Sequence, residues 1–306
     1  MSALAAHLAD YLRLRRALGF ALQRPGEVLP QFVAYLEAAG ATKPTTDLAI
    51  AWAHLPQGVQ PIQWAHRLGA VRGFARYLQT IEPATEVPPA DVFGARQRRP
   101  TPYLWSDEAI GRLLAATRQL QPPPRAATCT TVFGLLAVAG LRLGEALGLA
   151  RADVDLTAGV LRIAEAKFGR ARLVPLHPSA TEALRAYAAD RDRWCPTPRS
   201  ATFFLSTAGT TPSTDAVRHA FIEVTIALGL RTATSRPRLH DLRHSFAVRT
   251  LLAGHRDGVT PDGRVAALST YLGHIHPAGT YWYLEAAPEL MVLAAARLDD
   301  HLGARS

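Results

Sequence analysis

Cysteine and long apolar runs are the features that this 306-residue sequence most clearly lacks. Its 2 cysteines, Cys129 and Cys195, are too few for a disulfide framework and do not form the Cys-x-x-Cys spacing of many zinc sites. No run of about eighteen apolar residues occurs, and the first residues lack the apolar centre of a signal peptide. We therefore expect a reduced, cytoplasmic protein and neither secretion nor membrane insertion.

Negative charge is also scarce. Lysine and arginine number 34 against 25 aspartate and glutamate residues, which gives a formal net charge of +9 and a pI of about 10.1. Such an excess of basic residues favours partners that carry phosphate, such as nucleic acid. Apolar residues make up 48% of the sequence, which is typical of globular domains, and the length allows two of them.

The first 86 residues predict a small helical unit. Apolar residues recur at helical spacing in four segments, residues 2–18, 27–39, 47–54 and 62–78. Thr46 is the expected N-cap of the third helix. The fourth helix is basic, and its charged face lies either on DNA phosphates or in solvent. Residues 87–102 are rich in proline and arginine and predict a linker.

The remainder predicts a larger, mainly helical unit with a small β-hairpin. Ser106 is the expected N-cap of a helix that runs to about Leu120. A hairpin is expected from Val160–Ala164 and Ala171–Leu176, and a short strand at residues 202–205. Further helices are expected at residues 125–139 (ending at Gly140), 143–149, 178–192, 214–228, within the stretch 237–284, and in the tail 288–302.

Two clusters of charged residues stand out in this larger unit. Arg142, in AGLRLGEALGL, lies in so apolar a setting that it must either pair with Glu145 or bind an anion. His240 and Arg243, in LHDLRHS, are three residues apart and so project from one face of a helix. His244 adds a second imidazole, which raises a zinc site as an alternative, although the metalloprotease motif has a glutamate that is absent here.

Taken with the segment YLGHIHPAGTYWYL, these motifs resemble the tyrosine recombinase (phage integrase) family. The resemblance covers about two-thirds of the chain. It implies a helical N-terminal core-binding (SAM-like) DNA-binding domain at residues 1–86, a basic linker at 87–102 and a tyrosine-recombinase catalytic domain at 103–306. Gly273 is expected to let the backbone approach its neighbours closely.

The resemblance also implies a catalytic set. It consists of Arg142, Lys167, His240, Arg243, His274 and Tyr283. Lys167 lies at the hairpin tip, where the family often has a second lysine three residues later and this sequence has Arg170. His274 follows the Leu-Gly pair, after a longer gap from His240 than is usual. The nucleophile is to be chosen among Tyr271, Tyr281 and Tyr283. The family spacing selects Tyr283, nine residues after His274, with Tyr281 as its rival.

The function that the resemblance implies is site-specific DNA recombination by the integrase or transposase of a mobile element. The reaction passes through a 3′-phosphotyrosyl intermediate and needs neither a metal nor another cofactor. The partners are double-stranded DNA, three further copies of the chain in a tetramer on paired sites, and accessory or sister recombinases, acting in the nucleoid. The alternatives are a DNA-relaxing enzyme similar to type IB topoisomerases and a DNA-binding relative without catalysis.

Overall fold

The computed structural model describes residues 2–94, 101–166, 170–256 and 261–273. The chain divides into two compact units, Met1–Pro100 and Thr101–Ser306. The helices in chain order are α1 (Ala3–Ala17), α2 (Gln23–Ala38), α3 (Thr46–His54), α4 (Pro61–Gln79), α5 (Asp107–Thr117), α6 (Pro123–Ala139), α7 (Leu143–Gly148), α8 (Pro178–Trp194), α9 (Thr214–Ala227), α10 (Leu239–Arg256) and α11 (Pro261–Leu272). The strands are β1 (Val154–Asp155), β2 (Val160–Ala166) and β3 (Arg170–Pro175).

The first unit consists of the four predicted helices around one apolar core. Phe32 and Leu36 of α2, Trp52 of α3 and Phe74 of α4 are almost fully buried in it. Two details of the prediction were wrong. Helix α2 begins at Gln23, four residues earlier than expected, because Pro25 falls in the first turn, where a missing N–H costs nothing. Thr45, and not Thr46, caps α3 by accepting a hydrogen bond from the Leu48 N–H.

Part of the predicted linker packs on this first unit. The Phe93 ring lies 5.8 Å from that of Trp64 and 6.2 Å from that of His54, measured between ring centroids. Glu86, just before the predicted linker, accepts a hydrogen bond from the Thr46 backbone N–H and so ties this segment to the start of α3.

The second unit is built around α6, which packs against five other helices, α5, α7, α8, α9 and α10. Its buried Phe133 meets Phe221 of α9 edge to face, with ring centroids 5.4 Å apart. Ser106 caps α5 as predicted, by accepting from the Ala109 N–H. Helix α6 ends as predicted at Gly140, whose left-handed backbone (φ 60°) reverses the chain into the segment that carries Arg142.

The predicted hairpin forms the greater part of a three-stranded antiparallel sheet in the order β1-β2-β3. The expected strand at residues 202–205 was wrong, since Thr202 makes only a single bridge with Ala150. The backbone N–H of Leu205 donates to the Tyr187 hydroxyl instead of to a neighbouring strand, so no ladder continues. None of the helices in the described part of the chain is long and apolar enough to cross a membrane.

Candidate active site

Arg142 stands at the N-cap of α7, directly after the left-handed turn at Gly140. Its backbone N–H and its Nη1 both donate to the Glu145 carboxylate, at 2.9 and 2.7 Å. Its Nη2 donates to the Gly273 carbonyl at 3.2 Å. The side chain is nevertheless 39% exposed, so the guanidinium is held in place and still reaches solvent. The pairing with Glu145 and the capacity to bind an anion, which the sequence offered as alternatives, are therefore compatible.

Glu145 is the centre of the charged cluster, and only 8% of its side chain is exposed. Arg172 of β3 grips the carboxylate with both terminal nitrogens, at 2.8 and 3.2 Å. Burial alone would raise the pKa of Glu145. The hydrogen bonds from Arg172 and from the Arg142 backbone, together with the charges of both guanidiniums, outweigh burial and hold the pKa below its ordinary value.

Arg243 lies in α10 and is buried, with 1% of its side chain exposed. Its Nη1 donates to the Gly140 carbonyl at 2.6 Å and its Nη2 to the Leu272 carbonyl at 2.7 Å. Its Nη1 also lies 3.9 Å from Glu145 Oε2. Arg243 thus fastens the C-terminal ends of α6 and α11 beside the carboxylate that orients Arg142.

His240 lies in the first turn of α10, one turn before Arg243, and its side chain is accessible to solvent. Asp241 fixes this helix start by accepting from the Arg238 N–H at 2.8 Å and from its guanidinium at 2.7 Å. The pKa of His240 falls to about 4, because surrounding protein partly desolvates the ring and the charges of Arg243, Arg238 and Arg142 oppose protonation, against a smaller opposite effect of Asp241. At neutral pH the imidazole is uncharged and available as a proton acceptor.

Gly273, at the end of α11, makes the close approach that the sequence predicted. Its backbone is left-handed (φ 66°), and a Cβ added there would lie only 2.8 Å from Arg172 Nη1. The last two described residues of this segment, Leu272 and Gly273, present their carbonyls to Arg243 and Arg142. The chain is thereby anchored to the arginine cluster at the residue that precedes His274.

The structure brings together the three predicted site residues that it describes, Arg142, His240 and Arg243. The other three, Lys167, His274 and Tyr283, lie outside the described residues, as do Tyr281, Tyr283's rival, and the tail 288–302. The sequence offered Glu145 as a partner for Arg142, and the structure shows that pair. Sequence reasoning missed Arg172, the second partner of Glu145. The signal for Arg172 was its period-two spacing from Val174, because a strand that buries Val174 also turns Arg172 inward, where a guanidinium needs a carboxylate.

Comparisons with known proteins give the family. The model of the phage integrase family matches residues 105–289. The chain is 43% identical to y4rB of Sinorhizobium fredii (strain NBRC 101917 / NGR234), a protein named as an integrase/recombinase, over 98% of both chains. It is 30% identical to the tyrosine recombinase XerD of Caulobacter vibrioides, over 76% of this chain and 73% of that protein.

Among solved structures, the Tn1549 transposon integrase in complex with transposon right-end DNA shares the fold. Its TM-score is 0.66 at 15% identity, and the match covers 98% of this chain and 99% of that one. The chain therefore belongs to the phage integrase family, the tyrosine recombinases, and is an enzyme of the class that breaks and rejoins DNA strands. The predicted family, fold class and enzyme class are confirmed.

The depressed pKa of His240 gives a direct prediction. In an NMR titration of the ¹³C-labelled imidazoles, with His240→Gln used to assign the signal, we expect a midpoint near 4. In the folded state this pKa lies below the ordinary value of about 6.5, so the unfolded state binds more protons between the two values. His240 therefore contributes stability that is present above about pH 6.5 and lost as the pH falls toward 4.

Adding a DNA duplex provides the second half of this test. A bound phosphate would offset the three neighbouring guanidiniums, and the His240 midpoint should move upward. A midpoint near 6.5 in the free protein would show that burial and the charges of Arg243, Arg238 and Arg142 do not act on the ring as described.

Proposed function

We propose that this protein is the site-specific recombinase of a mobile genetic element and that it cuts and rejoins DNA through a 3′-phosphotyrosyl intermediate on Tyr283. The observation that carries the proposal is the cluster in which Glu145 orients Arg142, lies 3.9 Å from Arg243 and is gripped by Arg172. Three guanidiniums around one carboxylate leave two positive charges in excess. That excess suits a phosphodiester, whose negative charge increases as its phosphorus becomes five-coordinate.

Arg142 and Arg243 are the residues that we assign to the non-bridging phosphate oxygens. A guanidinium fits such oxygens with two parallel hydrogen bonds, which a lysine does not provide. Arg142 is already accessible to solvent, whereas Arg243 is held at the base of the cluster by the Gly140 and Leu272 carbonyls. We assign His274 as a third donor, because the chain is fastened to Arg142 at the preceding residue.

The proton transfers follow from the chemistry of the two oxygens. A tyrosine with a pKa near 10 is only about one-thousandth ionised at pH 7, so the attacking hydroxyl needs a base, and we assign that role to the neutral His240. The Tyr283 oxygen forms a bond to phosphorus while the bond from phosphorus to the 5′-oxygen breaks. Lys167 gives its proton to that leaving oxygen. One ester replaces another, so the step is reversible without ATP.

Tyr271, the described tyrosine closest in sequence to the proposed nucleophile, fits a packing role. Its ring stacks on that of Phe246, with centroids 5.6 Å apart and planes 25° apart. Burial raises the pKa of Tyr271 against the opposing charges of Arg172 and Arg243, so its hydroxyl is harder to ionise for attack. This leaves Tyr283 and Tyr281 as the candidates.

The relatives support the biological role. y4rB carries the name of an integrase/recombinase, and the structural match with the Tn1549 integrase belongs to a transposon protein bound to transposon DNA. We accordingly propose double-stranded DNA as the partner, a tetramer on two paired sites as the active assembly, and action in the cytoplasm at the nucleoid. The N-terminal helices (residues 1–86) and the basic segment 87–102 would bind DNA together with the catalytic domain at 103–306.

Covalent trapping tests the proposal. The protein is incubated with nicked duplexes that cover the DNA flanking its own gene, then denatured, and the adduct is mapped by mass spectrometry. We expect a nucleotide on Tyr283 that disappears in Tyr283→Phe and persists in Tyr281→Phe. An adduct that is lost instead in Tyr281→Phe would move the nucleophile by two residues. Absence of any adduct with DNA binding intact would overturn the mechanism in favour of a binding protein.

Two assays with the same protein distinguish recombination between DNA sites from relaxation of supercoiled DNA. A recombinase joins strands between two copies of one site, whereas an enzyme similar to type IB topoisomerases relaxes any supercoiled plasmid. Relaxation of a plasmid without the flanking DNA, and no joining between paired sites, would overturn the recombinase role while leaving the chemistry in place.

A further inference from the structure

A cavity of about 310 Å³ lies within the N-terminal unit, where the end of α1, the start of α2 and the middle of α4 meet. All the charged groups that line it are basic: Arg15 of α1, Arg24 of α2 and Arg67 of α4, with His66 beside them. Within residues 2–94, no carboxylate lines the cavity or forms an ion pair with any of these arginines. Guanidiniums brought together without a counter-charge repel each other, so an anion would stabilise this arrangement.

Two of these guanidiniums are held in place by aromatic rings. Arg67 lies 3.7 Å from the centroid of the Trp52 ring and donates to the Trp52 carbonyl at 3.1 Å. Arg15 lies 3.9 Å from the centroid of the Phe20 ring. Each of them also has a buried Nε without a hydrogen-bond partner among the described residues. Stacking fixes a guanidinium but does not neutralise it, so both cations remain available to a ligand. Burial and the charge of Arg24 lower the pKa of Arg67, as expected for cations with no anion present.

The start of α2 adds to the positive potential of the cavity. Leu22 precedes the helix in a left-handed conformation (φ 42°, ψ 39°) that a leucine rarely adopts, and no side chain caps the first turn. That turn contains no acidic residue and carries Arg24 instead. A cation at a helix N-terminus opposes the helix dipole, whereas an anion bound there would be stabilised by the dipole and by the free N–H groups.

The positions of Arg15 and Arg16 have an ordinary structural explanation. Both lie in the last turn of α1, where a positive charge offsets the helix dipole. Trp52 fixes the position of Arg67, but among residues 2–94 no carboxylate balances its charge. Arg24 lies at the start of a helix, where a cation opposes the helix dipole. The convergence of these two with Arg15 on one cavity therefore points to a ligand.

We propose that this cavity is a phosphate-binding site that takes one backbone phosphate of a DNA strand. The inference rests on the proposed function and extends it, since it gives the N-terminal unit a defined contact with the substrate. A contact to a phosphate fixes the position of the protein along the duplex without reading base sequence.

The first test measures the salt dependence of binding to labelled duplexes of unrelated sequence, with the full-length protein. Arg24→Gln removes an exposed cation of the cavity, and Arg76→Gln removes an exposed cation of α4 outside it. We expect Arg24→Gln to reduce the slope of log K against log [salt] by about 1 and to weaken binding equally for all sequences. Arg76→Gln should leave the slope unchanged. Equal effects of the two variants would overturn the site in favour of a general basic surface.

Charge reversal provides a second test that a purely structural role would not pass. In Arg24→Glu a carboxylate joins Arg15 and Arg67 at the start of α2, where it would occupy the place of the phosphate. We expect this variant to melt at a higher temperature than the wild type while it binds DNA several-fold more weakly. A lower melting temperature together with weaker binding would show that Arg24 supports the fold, and the proposal would be wrong.

Two further arms separate this inference from the proposed function and from another ligand. Arg24→Gln at saturating concentration should still form the covalent DNA adduct, so an unchanged salt slope with a normal adduct overturns the cavity alone. If the wild-type protein forms no covalent DNA adduct, the phosphotyrosyl mechanism alone is overturned. If inorganic phosphate stabilises the wild type against heat but Arg24→Gln leaves the salt slope unchanged, the cavity binds a small anion and not DNA.

Discussion

Arg243→Ala is expected to reduce DNA strand cleavage by at least about 10²–10³-fold, the effect of removing one preorganised donor to a developing oxyanion. It should also lower the free energy of unfolding by about 2–6 kcal/mol. The guanidinium is buried and donates to the carbonyls of Gly140 and Leu272. Leaving a buried acceptor without its donor costs about 1–3 kcal/mol, and Arg243→Ala leaves both of these carbonyls in that state. Cleavage of a nicked duplex measures the first effect, and urea unfolding measures the second.

Arg249→Ala is the matched control, because it removes the same side chain from the same helix. Arg249 is about one-third exposed, pairs with Asp107 and donates to the Ala137 carbonyl at 2.9 Å. We expect a smaller loss of stability and an unchanged cleavage rate. If Arg243→Ala does not fold, Arg243→Lys keeps the charge without the planar fork and should cleave about 10²-fold more slowly. Cleavage by Arg243→Lys at the wild-type rate would remove Arg243 from the phosphate site.

The site combines an exposed arginine with a buried one, and Glu145 joins the two. Arg142 presents its guanidinium to solvent, whereas Arg243 holds together the ends of α6 and α11. A substrate phosphate would therefore meet a cluster whose geometry is fixed before binding. Such preorganisation lowers the reorganisation that the transition state requires.

Much of this arrangement could be predicted from the sequence, and the parts that could not depend on tertiary contacts. Helix positions follow from local periodicity, and the turn at Gly140 follows from the end of an apolar helix. The role of Arg172 depends on a partner 27 residues away in the chain. Residues 202–205 do not continue a strand, because the Leu205 N–H donates to the Tyr187 hydroxyl and not to the carbonyl of a neighbouring strand. The spacing from Val174 turns Arg172 inward but does not identify Glu145 as its partner, and the Tyr187 contact has no signature in local sequence.

The same limit applies to the N-terminal unit. The sequence showed that α4 is basic but left open whether its arginines lie on DNA or in solvent. Trp52 of α3 holds one of them, Arg67, at a cavity that Arg15 and Arg24 also line. Only the packing of three helices distinguishes this arginine from Arg76, which lies outside the cavity.

Glu145→Gln tests the centre of the active-site cluster. This nearly isosteric change removes the carboxylate that Arg142 and Arg172 share, and it leaves the buried Arg243 without a negative charge 3.9 Å away. Breaking a buried ion pair from one side costs about 3–5 kcal/mol, so we expect a loss of that size in the free energy of unfolding at pH 7. Cleavage should fall as well, because Arg142 loses the contact that orients it. Asp153→Asn is the control, since its partner Arg162 is largely exposed and the loss should be smaller.

The decisive measurement is the pH dependence of the difference in the free energy of unfolding between the wild type and Glu145→Gln. The pKa of Glu145 is depressed in the folded state, so its contribution to stability is fully present above its unfolded pKa of about 4.3. It is lost as the pH falls through the lower folded value, because the carboxylate becomes protonated and its ion pairs are lost. Urea unfolding of wild type and Glu145→Gln from pH 7 to pH 3 should therefore give two curves that converge at the acid end. Curves that stay parallel over this range would mean that the stability at Glu145 comes from hydrogen bonding alone and not from its charge.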